Sequence, residues 1–129
     1  MTDDLMTIRQ MCDEFDVTPR TLRFYESREL IAPERRGQHR LYDRQDRARL
    51  KLILQGKRFG FSLEQIRQLL ELYDPRSGNV TQIEATISAS RDRLADMMRQ
   101  QEELETAIAD LTEQIAGAEK LLEARRRDA

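Results

Sequence analysis

The residues able to do chemistry crowd into one stretch, Thr18-Pro19-Arg20-Thr21-Leu22-Arg23-Phe24-Tyr25-Glu26. Guanidinium groups pair with phosphate oxygens or with the guanine edge, and hydroxyls and phenols hydrogen-bond phosphate oxygens. The chemistry on offer is recognition of a nucleic-acid groove, not bond making. Thr18 is placed to cap a helix and Pro19 to occupy its first position. Leu22 and Phe24 are expected to face inward. Arg20, Thr21 and Arg23 are expected to point outward, with Tyr25 close behind, and these four with Thr18 are the candidate DNA contacts of this stretch. An Arg-rich amphipathic helix is also an ordinary solvated surface helix, so the neighbouring sequence decides.

A second cationic group follows. Arg35-Arg36-Gly37-Gln38-His39-Arg40-Leu41-Tyr42 reads as a short β-hairpin turning at Gly37-Gln38, with Arg35, Arg36, His39, Arg40 and Tyr42 as contacts to phosphate or the minor groove. The bland alternative is a solvated loop; Leu41 between polar residues gives the alternation of a strand. Lys57 and Arg58 sit at a later joint between helices, where they could touch flanking DNA. From Arg20 to Arg58 there are 12 Lys/Arg against 5 Asp/Glu, a net of +7, whereas Pro75 to Ala129 carries 8 against 11, a net of −3. The overall charge of −2 therefore hides a localised positive footprint.

Enzyme chemistry is poorly supplied. The chain has 1 Cys, 1 His and no glycine-rich phosphate loop. Asp43 and Asp46 are better read as helix-start chemistry than as a carboxylate pair. Cys12 is either a metal or redox thiol or, lacking a second Cys, a small apolar residue packed between helices. His39 alone cannot build a metal site. No cofactor and no metal are expected. The acidic start, Met1 to Met6, is not a signal peptide, and no apolar run is long enough to span a membrane. A soluble cytoplasmic protein is the expectation.

Elements must position these groups. Thr7-Ile8-Arg9-Gln10 is a capping box, and Ile8, Met11, Cys12 and Phe15 recur on one helical face. Asp16-Val17 then turns into the Thr18 helix, giving helix-turn-helix order. Leu30, Ile31 and Pro33 end that helix, and Asp43 caps the next. Ser62 and Gln65 form a second capping box ahead of the stripe Ile66, Leu69, Leu70 and Tyr73. The 129 residues divide into a winged helix-turn-helix head (1–74), a turn-rich linker (75–79), a coiled-coil helix (80–124) and a basic end (125–129). The fold class is mainly α with a small β-hairpin wing.

The tail repeats with 4-3 spacing: Ile83, Ile87, Ser90, Leu94, Met97, Gln101, Leu104, Ile108, Leu111, Ile115, Ala118 and Leu122. Five to six heptads make a coiled coil, which one helix cannot complete, so a homodimer is expected. Gln101 near the centre either fixes register by meeting its own copy in an antiparallel pair or is a tolerated substitution. Arg125, Arg126 and Arg127 oppose the helix macrodipole at a solvated end.

With Thr7-Ile8, Val17-Thr18, Thr21-Leu22-Arg23-Phe24-Tyr25-Glu26, Leu30-Ile31-x-Pro33, Arg35, Arg40-x-Tyr42 and Gly60-Phe61-Ser62-Leu63 in view, residues 6–74 resemble the MerR family of bacterial transcription regulators. The resemblance implies an antiparallel homodimer on pseudo-palindromic promoter DNA, often across an overlong spacer between the −35 and −10 elements. It also implies bending and untwisting of the duplex for RNA polymerase. By motif position, Arg20, Thr21, Arg23 and Tyr25 would lie on or near the major groove, and Arg35, Arg36, His39, Arg40 and Tyr42 on the wing. Two departures stand out: Asp16 and Glu29 occupy positions where members of the family often have Gly. The family's metal sensors use Cys near the start of the dimerisation helix and in a C-terminal loop; here Ser77 and its successors offer none, so metal and iron–sulfur sensing are not expected. No added multidrug-type ligand domain is expected either. Lys51 to Ser62, with Leu72-Tyr73-Asp74-Pro75 and Ser77-Gly78-Asn79, looks like the subgroup controlling leucine, isovalerate and acyl-CoA catabolism. That likeness implies an acyl-CoA-type small-molecule effector held between coiled coil and heads. The competing function from another class is a coiled-coil adaptor whose basic head docks an acidic protein.

Overall fold

A computed structural model describes residues 4–72 and 80–129. The expected linker 75–79 and Tyr73 lie outside the described residues. The order is β1 (Met6–Thr7), α1 (Ile8–Phe15), α2 (Pro19–Ser27), β2 (Glu34–Arg36), β3 (His39–Tyr42), α3 (Arg44–Arg58), α4 (Leu63–Leu72) and α5 (Val80–Arg127). Mostly helix, a three-stranded antiparallel sheet and a long final helix match the expected class. Two compact units result, Met1–Ile87 and Ser88–Ala129.

Local hydrogen bonds start the helices where the sequence places them. Thr7 and Gln10 exchange the two bonds of a capping box at 2.9 and 3.2 Å, and Ser62 and Gln65 do the same at 2.9 and 3.1 Å. Thr18 Oγ1 accepts from the Thr21 N–H at 3.1 Å, with Pro19 next in line as the first helical residue. Asp43 and Asp46 form a third box ahead of α3. The turn between α1 and α2 is made by Asp16 in the left-handed conformation, φ 54° and ψ 50°. Glu29 is also left-handed, at φ 60°.

The wing is larger than a hairpin. β2 and β3 pair antiparallel with Glu34 opposite Leu41 and Arg36 opposite His39, joined by Gly37-Gln38 with Gly37 at φ 62°. Gly at the first central position of a two-residue turn suits the right-handed twist of the strands. β1 adds to the other side of β3, Met6 opposite Tyr42, so the strand order is β1-β3-β2. The core of the first unit is Met11, Leu22, Tyr25, Leu30, Ile31, Tyr42, Leu50, Ile53, Ile66 and Leu70. Gly56 is needed where α3 meets α4: a Cβ there would lie 2.7 Å from Ile66 Cγ1.

Among the described residues of the second unit no other element packs against the helix. Leu94, Met97, Leu104, Ile108, Leu111, Ile115 and Leu122 all stand exposed on it, Leu104 at 62%. At ~1.5 Å per residue the 48 residues of α5 are about 72 Å long. Among the described residues no helix is long and apolar enough to cross a membrane.

Candidate nucleic-acid interface

The outer face of α2 carries Arg20 and Arg23, both exposed, and Thr21, half-buried, with the exposed Arg28 at its C-terminal cap. The ion pairs among the described residues include neither Arg20 nor Arg23, nor Lys57 or Arg58 at the α3–α4 joint. Thr18 spends its hydroxyl on the helix cap and on Thr21 Oγ1, 3.0 Å away. Arg20, Thr21, Phe24, Tyr25, Lys57 and Phe61 line one cleft of about 420 Å³. The main cationic helix and the α3–α4 joint therefore border the same concavity.

The wing cations are less free than their sequence suggests. Glu26, near the end of α2, accepts a 2.7 Å bond from Arg35 Nη2 and a 2.6 Å bond from Arg40 Nε. Burial pushes the Glu26 carboxyl up, but the two arginine hydrogen bonds and their charges more than offset this and hold it below its ordinary range. Arg40 is only 22% exposed at its side chain, so it anchors the wing to α2. Arg36 pairs with Glu34 at 2.5 Å, and His39 is exposed.

Three expected orientations are corrected. Phe24, expected inward, is 43% exposed, and Tyr25, expected at the surface, is 3% exposed in the core. Leu22 and Phe24 are two residues apart, roughly 200° around a helix, and cannot share a face; Leu22 and Tyr25, three apart, can. Tyr42 is fully buried rather than on the wing's surface, because β3 lies between β1 and β2 and turns that side chain into the core. Its hydroxyl has no hydrogen-bond partner among the described residues, and burial pushes its pKa up to about 12. Cys12 is half-buried against the core, where burial raises its thiol, with the Asp13 charge adding.

Sequence reasoning missed Phe24 as a surface residue and Glu26 as the wing's anchor. The three-residue helical spacing would have found the first; the second joins residues 9 and 14 positions apart. Asp46 is also buried, accepting bonds from the Ala32 N–H at 3.2 Å and the Asp43 N–H at 3.1 Å. Burial raises its carboxyl, and these bonds only partly counter that. No group of three or more His, Cys, Asp or Glu that could hold a metal ion occurs among the described residues.

The family model described as MerR HTH family regulatory protein matches residues 6–72, and one described as MerR, DNA binding matches residues 47–114. The HTH-type transcriptional regulator ZntR of Escherichia coli (strain K12) is 42% identical over 67 residues, 50% of this chain and 48% of ZntR. The matched stretch thus spans about half of that relative. A MerR-family transcriptional regulator from Bacillus cereus superposes with TM-score 0.67 and 26% identity, covering 84% of this chain and 78% of that one. HiNmlR, a MerR family regulator lacking the sensor domain and solved bound to promoter DNA, shares the fold with TM-score 0.61 and 23% identity over 81% of this chain and 78% of its own. The matched proteins are regulators, not enzymes. With a helix-turn-helix, a wing and an exposed cationic helix face all in register with the matched residues, this chain belongs to the MerR family of DNA-binding transcription regulators.

Proposed function

We propose that two copies clasp along α5 in antiparallel fashion and present their heads to a pseudo-palindromic promoter, bending and untwisting it for RNA polymerase. The carrying observation is the exposed α2 face, where Arg20 and Arg23 stand outside the ion pairs of the described residues, beside a wing. In this reading Arg20, Thr21 and Arg23 enter the major groove, Arg35, Arg36 and His39 follow the backbone, and Lys57 and Arg58 touch flanking phosphates. The dimer seam is Ile83, Ile87, Leu94, Met97, Gln101, Leu104, Ile108, Leu111, Ile115 and Leu122. The head is 1–74, the linker 75–79, the seam helix 80–124 and the basic end 125–129. Exposed apolar residues repeating along a solvated helix support this, since only a matching stripe covers them without burying charge.

The effector in this reading is a small organic molecule of the acyl-CoA class rather than a metal, and the controlled genes serve leucine, isovalerate or acyl-CoA breakdown in the cytoplasm. The single Cys and single His of the sequence support the first part. The likeness of Lys51 to Ser62 to that subgroup supports the second. Titration on the upstream promoter and on scrambled DNA of equal length, at several salt concentrations, tests the core of the proposal. Preference for the promoter with a steep salt slope is expected; equal affinity for both duplexes overturns it, and would favour the acidic-protein adaptor.

A further inference from the structure

Phe24 is the one large apolar side chain of α2 that the fold leaves out. Leu22 is fully buried and Tyr25 nearly so, while Phe24 is 43% exposed on the side that carries Arg20, Arg23 and Arg28. Arg20 and Arg28 stand one turn either side of it, at i−4 and i+4. Its ring is also held. The Arg28 guanidinium lies over it, 5.4 Å from the centroid, and the Tyr25 ring is tilted beside it at 5.8 Å and 52°.

An exposed ring among cations gains nothing from a second protein's apolar patch, because docking would strip water from three guanidinium groups without pairing them. It gains from a surface that is anionic around a small apolar feature. The major groove has that combination: phosphates on both walls and, on its floor, the thymine 5-methyl as the one apolar group among the base edges. The ring's restraint by Arg28 and Tyr25 lowers the ordering cost of such a contact.

Resting on the regulator reading above, we infer that Phe24 is a specificity-determining residue that reads a thymine methyl in each half-site, with Arg20 and Arg23 supplying polar contacts on either side. Thymine is then preferred at one position by apolar contact rather than by hydrogen bonding. The methyl is worth about a fourfold change in affinity, the usual return for covering one such group.

The test begins with operator selection from a random duplex pool by the full chain. The selected duplex is then remade with each thymine replaced singly by deoxyuridine, which removes the methyl and leaves every hydrogen bond. Wild-type affinity should fall about fourfold at one thymine per half-site and elsewhere stay level. Phe24→Ala should bind the thymine and deoxyuridine duplexes equally, and Phe24→Leu should keep part of the difference. No methyl-sensitive thymine in the wild-type scan, or a sensitivity that persists in Phe24→Ala, overturns the inference while leaving the regulator intact. If selection enriches no sequence at all, the regulator reading fails first and takes this one with it.

Discussion

Arg35 and Arg40 face each other across β2 and β3, and Glu26 of α2 holds both, at 2.7 and 2.6 Å. Like charges opposed on neighbouring strands repel. A single carboxylate from α2 turns that conflict into the joint that fixes the wing's position against that helix. Wing and helix are consequently tied into one surface.

Glu26→Gln leaves the two guanidinium groups opposed with only a neutral amide between them. A stability loss of about 1 kcal/mol is expected in urea unfolding, small because Arg35 is more than half exposed. The pH dependence has a definite sign. The folded-state carboxyl lies below its ordinary value of 4.5, so its contribution is present above that value and is lost as pH falls through the folded one. Asp46 works the other way: its raised carboxyl contributes below 3.8 and that contribution is lost as pH rises through the folded value. Unfolding curves collected downward from pH 5 should therefore show a Glu26-dependent loss that Glu26→Gln removes. An identical acid profile in the two proteins would refute the joint.

Glu29 holds φ 60° with no Cβ-free backbone to make it cheap. A left-handed residue with a side chain costs roughly 1–2 kcal/mol, and Gly returns part of that gain through its looser unfolded chain. Glu29→Gly should raise stability by about 0.5–1 kcal/mol, measured as a higher urea midpoint at unchanged slope. Asp16, at φ 54°, should gain less from the same change, because Asp tolerates this conformation better.

Local signals were legible. Thr7 with Gln10, Thr18 with Thr21, and Ser62 with Gln65 all act three residues apart, so side chain and backbone partner are read from one short window. The Asp16-Val17 turn is local too, made by Asp16 alone in the left-handed conformation. What escaped depended on distant partners. β1 is two residues long and exists only because Met6 and Thr7 meet Tyr42 and Leu41, and Glu26 shows its role only once the wing has folded back on α2. The burial of Tyr42 is illegible for a related reason: alternation in a strand says which residues share a face, not which face is covered. For Phe24 and Tyr25 the spacing to Leu22 contains the answer, since a two-residue step suits a strand and a three-residue step a helix.

Tyr42→Phe separates the surface reading from the buried one. A hydroxyl sealed in the core without a partner among the described residues costs free energy that its removal returns. Stability should rise by about 1 kcal/mol in thermal or urea unfolding, with DNA affinity unchanged. A loss of affinity at unchanged stability would return Tyr42 to the DNA surface.

Two substitutions in different units distinguish reading from dimerisation. Arg23→Ala removes an exposed guanidinium from α2 without touching α5. It should weaken operator binding by roughly 1–3 kcal/mol while sedimentation still reports a dimer. Leu104→Asp places a carboxylate in the middle of the apolar stripe, where two copies would have to bury it unpaired. Sedimentation should then report a monomer, and a gel shift should show operator binding lost as well, because two half-sites reward a protein only when its heads are linked. The head should stay folded in that variant, since the core of the first unit contains nothing from residue 104. Undiminished operator binding by a Leu104→Asp monomer would mean that one head reads DNA alone, and α5 would need another occupant for its exposed stripe.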